Sequence, residues 1–256
     1  MINKECDLSV ILPVYNEDQS LSIMIKILEA TLDFNHEVLI IYDDPSDTSI
    51  PPAKELQKIF SNINLVYNDI GRGAQNAVIK GIESSKSDLI LIACVDEVIP
   101  IIAIKEMMEL INDKNCDFVS ATRYSFGGKR YGGSLIGGIL SRSANFIFRL
   151  ITGIVFSDST TGMKMMKKKV WKEINIESDP VGWAFAFEIA IKAQLLGCKM
   201  GEIPVKGVDR LFGGTSTFKL VPWFKEYIRW FIWGIRKINR FNRSQKKIIT
   251  LDKYLI

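Results

Sequence analysis

The chain has 256 residues, 47% of them hydrophobic, enough to bury one sizeable core or two small ones. Its 33 basic and 29 acidic residues leave a formal charge of +4, too little to make the whole molecule a nucleic-acid binder. The four cysteines (Cys6, Cys94, Cys116, Cys198) are widely spaced, with no CxxC pair and no histidine partners, which argues against a zinc site or a disulfide framework and suits a reducing compartment.

Along the chain, near-continuous apolar and β-branched runs predict strands over 8–15 (LSVILPVY), 37–44 (EVLIIYDD), 63–69 (INLVYND) and 88–96 (DLILIACVD). Such runs suit parallel strands covered on both faces. Helices are expected between them, over 18–32, 52–60 and 74–85. The last has Ala74, Ala77, Val78 and Ile82 on one face and Gly71 and Gly73 at its entry. This alternation predicts an α/β fold with a doubly wound, mostly parallel sheet and ligands at the carboxyl ends of its strands. Three of the four strands end there in acids, at Glu17, Asp43-Asp44 and Asp96-Glu97. A shared polar site is the expectation, because function collects on that edge.

Further on, a helix is expected over 134–152, a strand at 163–168 (MKMMKK), and a helix that begins at Gly182-Trp183 and carries Glu188. From Leu220, apolar residues at 223, 224, 227, 228, 231, 235 and 238 keep the repeat of an amphipathic helix. Lys225, Arg229, Arg236 and Lys237 lie on its other side, and Trp223, Trp230 and Trp233 suit a bilayer interface. Two readings stay open: a helix lying on an anionic membrane surface, or a helix docked on the rest of the protein with a basic tail in water. Lys4, Glu5 and Asp7 interrupt any signal peptide, and no run reaches the ~18 apolar residues of a spanning helix. A cytoplasmic chain without a transmembrane helix is expected.

The segments ILPVYNE (11–17), YDDPSDTS (42–49), GRGAQNAVIKGI (71–82), the acid-ended fourth strand, ATRY (121–124), DSTTGMKMMKK (158–168), GWAFAFEIAIKAQLLGCKMGEIPV (182–205) and DRLFGGTS (209–216) follow in an order that resembles the family 2 glycosyltransferases. The likeness is greatest to the branch with dolichol-phosphate mannose synthases and undecaprenyl-phosphate relatives. Ordered motifs are far more specific than any one of them. The resemblance implies a GT-A fold over 1–218, with a nucleotide-sugar-binding half (1–98) and an acceptor half (99–218), followed by a basic amphipathic tail (219–256).

On this resemblance Pro13, Tyr15 and Glu17 lie against the nucleoside, and Asp44 accepts a hydrogen bond from the base. Gly71, Arg72 and Gly73 lie beside the diphosphate, where helix N-terminal amides and a guanidinium suit an anion. Read alone, Pro13 ends a strand, Tyr15 packs and Asp43 caps a turn. Pro45 replaces the usual glycine and stiffens its loop. The family's Asp-x-Asp pair, which grips a divalent cation across the donor phosphates, here reads Cys94-Val95-Asp96. Asp96 is the implied metal residue, for Mg2+ or Mn2+. A thiol is a poor ligand for either ion, so Cys94 predicts weakened metal affinity or a shifted metal choice. Strand alternation would turn Glu97 to the opposite face.

On the acceptor side, Arg123 matches an arginine near the phosphates, and Ser141 a position at the acceptor phosphate. Gly137 stands one turn earlier, where Arg or Lys is common. Asp158 matches a loop near the transferred sugar. Glu188 matches the family acid, a general base for hydroxyl acceptors, whereas a phosphate acceptor arrives ionised and needs none. Arg210 and Ser216 match a mobile loop whose arginine meets the charge growing on the departing diphosphate. Thr217 stands where Lys is common. The implied function is inverting transfer of a sugar from a nucleotide-sugar donor to a polyprenyl (dolichyl or undecaprenyl) phosphate at the cytoplasmic membrane face, with no nucleic-acid partner. Transfer to a sugar hydroxyl of a glycan acceptor during surface-polysaccharide synthesis, and a noncatalytic nucleotide-sugar-binding relative, are the alternatives left open.

Overall fold

The structure, a computed structural model, describes residues 6–132, 135–208, 220–238 and 247–255. Strands β1 (Leu8–Pro13), β2 (His36–Tyr42), β3 (Ile63–Tyr67) and β4 (Leu89–Ile92) alternate with helices α1 (Asp18–Thr31), α2 (Ile50–Ile59) and α3 (Ala74–Ser84). A 3-10 turn, Ile99–Ala103, leads into α4 (Ile104–Asn112), β5 (Phe118–Thr122), β6 (Lys129–Tyr131) and α5 (Leu135–Thr152). β7 (Lys164–Lys167), α6 (Lys168–Glu173), α7 (Ala184–Leu195), β8 (Met200–Pro204), β9 (Lys206–Val208) and α8 (Leu220–Lys237) follow.

Seven strands form one sheet in the order β3-β2-β1-β4-β7-β5-β8. β7 runs antiparallel to both its neighbours, and every other pairing in that sheet is parallel. β6 and β9 form a separate parallel pair. Side chains alternate across β1 and β2: Val10, Leu12, Val38 and Ile40 pack with α1, α2 and α4, while Ile11, Leu39 and Ile41 pack with α3 and the layer containing α5, α7 and α8. At roughly 1.5–3 kcal/mol for each fully buried large apolar side chain, these two layers hold the sheet rigid beneath its carboxyl edge. Strand order reverses between β1 and β4, which opens a crevice at that edge.

β4 ends at Ile92, short of the acids that the apolar run leads into. The last bond of its ladder to β1 is Ala93 N–H to Ile11 O, at 3.1 Å. The next donor in a parallel ladder would be residue 13, and Pro13 has no N–H. The chain therefore turns, with Glu97 N–H donating to Cys94 O at 3.2 Å. Asp96 and Glu97 lie in this turn, so the strand-alternation argument that separates their side chains does not apply.

The last described segment is not a tail in water. Ile249 O accepts from Glu202 N–H at 2.9 Å and Ile249 N–H donates to Met200 O at 3.0 Å, extending the sheet beyond β8. Lys253 Nζ and Tyr254 Oη then bind Glu106 of α4. The tryptophans of α8 follow the docked one of the two readings left open. Trp230 is fully buried and packs on Trp233 at 5.1 Å, and buried Glu226 accepts from Asp179 N–H, Arg229 and Trp230 Nε1. These rings dock α8 on the body because its apolar residues extend around more than one face. Phe224, Ile228, Ile232 and Ile235 remain exposed on the outside.

α8 meets the loop before α7 at Gly182, which has φ +58°, and a Cβ there would stand 2.2 Å from the Trp223 ring. Gly182→Ala is expected to lose about 1–3 kcal/mol through overpacking and backbone strain. Urea unfolding measures the loss, and hydrogen exchange should rise in α8 more than in α1.

Candidate active site

The first part of the site is built by the loops after β2 and β3. Asp43 accepts from Asn68 Nδ2 at 2.6 Å and from Gly73 N–H at 2.7 Å. It thereby ties both loops to the start of α3, a larger task than capping its own turn. Gly71 and Gly73 have φ of +145° and +113°, a backbone that side-chain-bearing residues rarely adopt. Asp44 accepts from Ser46 N–H at 2.9 Å and Oγ at 2.7 Å, and pairs with Arg72 Nη2 at 2.5 Å. The Ser46 bonds, backbone first, and then Arg72 hold its carboxyl below the usual range. Asp43, Asp44, Pro45, Tyr67, Asn68, Asp69, Gly71 and Arg72 line a cleft of about 300 Å³. The cleft unites the predicted Asp44, Gly71 and Arg72, and adds Tyr67 and Asn68. Tyr67 is the register partner of Tyr42 at the end of β3, a position legible once strand ends were aligned.

The second part lies beyond β1. Asn16, in the left-handed region at φ 57°, donates its N–H to Asp47 Oδ1 at 3.1 Å, while Glu17 N–H donates to Ser49 Oγ at 2.8 Å. These bonds lace the loop after β1 to the loop after β2. Pro13 ends the strand and Tyr15 is 60% exposed. Burial, and next the charge of Asp96, push Glu17 up to about 7, so the two carboxyls feel each other's charge. Asp47 was missed by motif reading. Its second carboxylate oxygen is buried without a hydrogen-bond partner among the described residues.

Burial, then Glu97 and Asp96, raise the Cys94 thiol well above its usual value, so without a metal it is a neutral group. It packs where a Cβ on Gly162 would stand 2.7 Å from its Sγ. Among the described residues no group of three or more His, Cys, Asp or Glu is placed to hold an ion unaided. The oxygen donor Asp96, with Glu17 beside it, fits a hard cation that arrives with phosphates, since Mg2+ commonly takes only one or two protein carboxylates.

The third part is a buried polar knot. Arg123, after β5, grips Asp158 with Nε to Oδ2 at 2.7 Å and Nη2 to Oδ1 at 3.1 Å. Asp158 is fully buried. Burial raises its carboxyl, but Arg123, Thr160 and Lys164 together leave it lowered. Asp158, expected on a loop near the transferred sugar, is enclosed and holds Arg123. Lys164 and Glu202 complete the knot and were not singled out by any motif. Lys164 Nζ donates to Ser120 Oγ at 3.1 Å, and Glu202 accepts from Ser157 N–H at 2.8 Å and Asp158 N–H at 3.4 Å. Burial moves both to about 7, Lys164 downward and Glu202 upward.

Tyr124, 5.3 Å from the Arg123 guanidinium carbon, donates its phenol to Ser141 Oγ at 2.8 Å. Asn145, also on α5, donates to Thr160 Oγ1 and accepts from Ser159 N–H. Ser141 is thus joined to Arg123 through Tyr124. Glu188 is not: it is fully buried on α7 and accepts from Glu177 N–H, Ser178 N–H, Ser178 Oγ and Lys192 Nζ. Where a general base was expected, four donors hold the side chain as a clamp on the loop before α7. Arg210, Ser216 and Thr217 lie outside the described residues.

Comparison with known proteins places these features in a family. The model described as "Glycosyl transferase family 2" matches residues 9–174. A dolichol-phosphate mannosyltransferase of Pyrococcus furiosus is 25% identical over 236 residues, 86% of this chain and 65% of that protein. A dolichyl-phosphate beta-glucosyltransferase of Trichomonas vaginalis is 24% identical over 214 residues, 78% of this chain and 65% of that one. The chain therefore spans just under two thirds of the length of these relatives. Glucosyl-3-phosphoglycerate synthase of Mycobacterium tuberculosis, solved with Mn2+, UDP-glucose and phosphoglyceric acid, superposes with a TM-score of 0.66 at 14% identity, over 91% of this chain and 81% of that one. At that identity the likeness shows the fold alone, a GT-A fold. With a family model matched over well more than half of its length, the chain belongs to glycosyl transferase family 2.

Proposed function

We propose that this protein is an inverting glycosyltransferase that moves a sugar from a nucleotide-sugar donor to a polyprenyl phosphate at a membrane surface. The cleft of Asp44, Tyr67 and Arg72 receives the nucleoside. Pro13, Tyr15 and Glu17 flank it, and Gly71 to Gly73 offer backbone amides to the diphosphate. Asp96 would hold Mg2+ or Mn2+, and such a cation, when bound, would neutralise charge on the departing diphosphate. Arg123, fixed by Asp158, presents its remaining N–H donors to phosphate oxygens. Arg210 and Ser216 are assigned to the closing loop on resemblance. The acceptor phosphate, already ionised, attacks the anomeric carbon without a general base, which agrees with a Glu188 that is occupied elsewhere.

The observation that carries the acceptor assignment is the bare apolar surface of α5 and α8. On α5, which bears Ser141, Leu135 is 85% exposed and Ile139, Leu140, Phe146 and Leu150 are also exposed. On α8 they are joined by Phe224, Ile228 and Ile232. Exposed Arg142, Lys225, Arg229, Arg236 and Lys237 are interspersed. The two helices meet where Phe148 packs on Phe231 at 5.0 Å. Exposed apolar side chains interspersed with basic residues suit anionic lipid. No helix among the described residues is long and apolar enough to cross a membrane. The curated relatives are named for transfer to dolichol phosphate.

The test is transfer from a panel of radiolabelled nucleotide sugars, with Mn2+, to undecaprenyl phosphate in anionic vesicles. Label should enter the organic phase as an acid-labile lipid, and Ile228→Ser with Ile232→Ser should reduce vesicle co-flotation several-fold. Label passing only to water-soluble glycan acceptors would replace this reading with the sugar-hydroxyl one. Absence of nucleoside diphosphate release from every donor would leave a binding protein.

A further inference from the structure

On the turn of α5 before Ser141 the chain has two glycines, Gly137 and Gly138, and no cation. A guanidinium reaches that turn from a different element. β6 is three residues long, so its side chains alternate between two sides. Lys129 and Tyr131 are exposed and stack on each other, with Nζ 4.9 Å from the ring centroid. Arg130 between them is half-buried and turns to the opposite side. There its Nη1 lies 3.8 Å from the point a Gly138 Cβ would occupy. Gly138 and Ser141 are three residues apart and share a helix face. A long side chain at 138 would compete with the guanidinium for that space, and glycine leaves it open.

The strand that delivers Arg130 is itself fixed beside the buried knot. Its register partner on β9 is Gly207, and a Cβ on Gly207 would stand 3.6 Å from Arg123 Cδ. Tyr124 joins the Arg123 region to Ser141. Arg130, Ser141 and Arg123 are therefore positioned by three elements, β6, α5 and the end of β5, that brace one another.

We infer that Arg130 is the cation that binds the acceptor's phosphate monoester, with Ser141 as its hydroxyl partner, supplied from β6 across the glycine pair of α5. A guanidinium offers the paired donors that a phosphate takes two at a time, and partial burial strengthens that attraction. The inference rests on the phosphate-acceptor reading above. It is independent of what the phosphate carries: a polyprenyl chain and a phosphoglycerate present the same group.

Binding of phytanyl phosphate in detergent micelles, and separately of 3-phosphoglycerate, is measured by calorimetry on the full chain without donor. Transfer kinetics with the donor found in the panel accompany it. Arg130→Gln should weaken phosphate binding and raise the acceptor KM by about tenfold to a hundredfold, the range of one hydrogen-bonded charged contact. Donor KM and the melting temperature should stay unchanged, and Arg130→Lys should recover part of the loss. Lys129→Gln, on the other side of β6, should match the wild type. A preference for phytanyl phosphate identifies the lipid as the source, and a preference for 3-phosphoglycerate a soluble acceptor. If Arg130→Gln binds and uses the phosphate acceptor within twofold of the wild type, the inference fails while the transfer reading stands. If the wild type binds neither phosphate, both fall.

Discussion

Asp158→Ala should destabilise the protein by about 3–5 kcal/mol, the cost of breaking a buried ion pair and leaving one charge unmatched. Arg123 would remain mostly enclosed, with 12% of its side chain exposed, and Lys164, fully buried nearby, would lose an attractive charge. The linkage has a definite sign. The folded Asp158 carboxyl lies below its ordinary value, so its stabilising contribution is present above the unfolded pKa and is lost as pH falls through the folded one. The gap between wild type and Asp158→Ala in urea unfolding should therefore narrow in acid. Replacing both partners, Asp158→Leu with Arg123→Met, should cost less than Asp158→Ala alone, because no lone charge is left behind. Activity should be lost in both. That outcome separates the pair's two tasks, since the double variant would be folded yet unable to present a guanidinium to phosphate.

Asp96→Asn should lower kcat/KM by about 10²–10³-fold with little change in stability, the scale for removing one preorganised electrostatic partner from a reacting site. Asparagine keeps the shape and one oxygen and removes the charge that holds a cation. The complementary change is Cys94→Asp. The neutral thiol sits close to Glu97, Asp96 and Glu17, so a carboxylate there should lower the melting temperature in a chelator. In Mn2+ the same variant should regain more stability than the wild type, because a cation that binds only the folded state stabilises it by mass action. Equal Mn2+ shifts in the two proteins would detach Cys94 from the metal region.

Which features were legible in the sequence follows from how local their causes are. The βαβ units were readable because continuous apolar runs such as VLII and LILI can only be buried on both faces of a sheet. The acids at the strand ends were readable because that edge is where an open α/β sheet keeps its ligands. The early end of β4 was not, since its cause is the missing N–H of Pro13 on a neighbouring strand. Glu188 looked like a base because its partners come from the peptide bonds of 177 and 178 and from Lys192, which no motif displays. Lys164 read as one residue of a strand, and only the three-dimensional packing encloses it with Asp158 and Glu202. In α8 the periodicity identified an amphipathic helix but not its orientation. Trp230 turned inward with its ring N–H met by Glu226 one turn earlier on the same helix, and Glu226 in turn accepts from Asp179 N–H of the body. Arg130 carried no signal at all, since it lies on a separate strand, eight residues before the Gly138 that its guanidinium approaches.

The central claim is that Asp96 presents a divalent cation to the diphosphate of a nucleotide sugar at the carboxyl edge of the sheet. Anomalous diffraction from crystals grown with Mn2+ and UDP or GDP tests it most directly. The account predicts a manganese peak within about 2.0–2.2 Å of an Asp96 carboxylate oxygen, bridging the two phosphates, with the base in the Asp44–Arg72 cleft. A peak held by other side chains, or a nucleotide bound away from that edge, would contradict it.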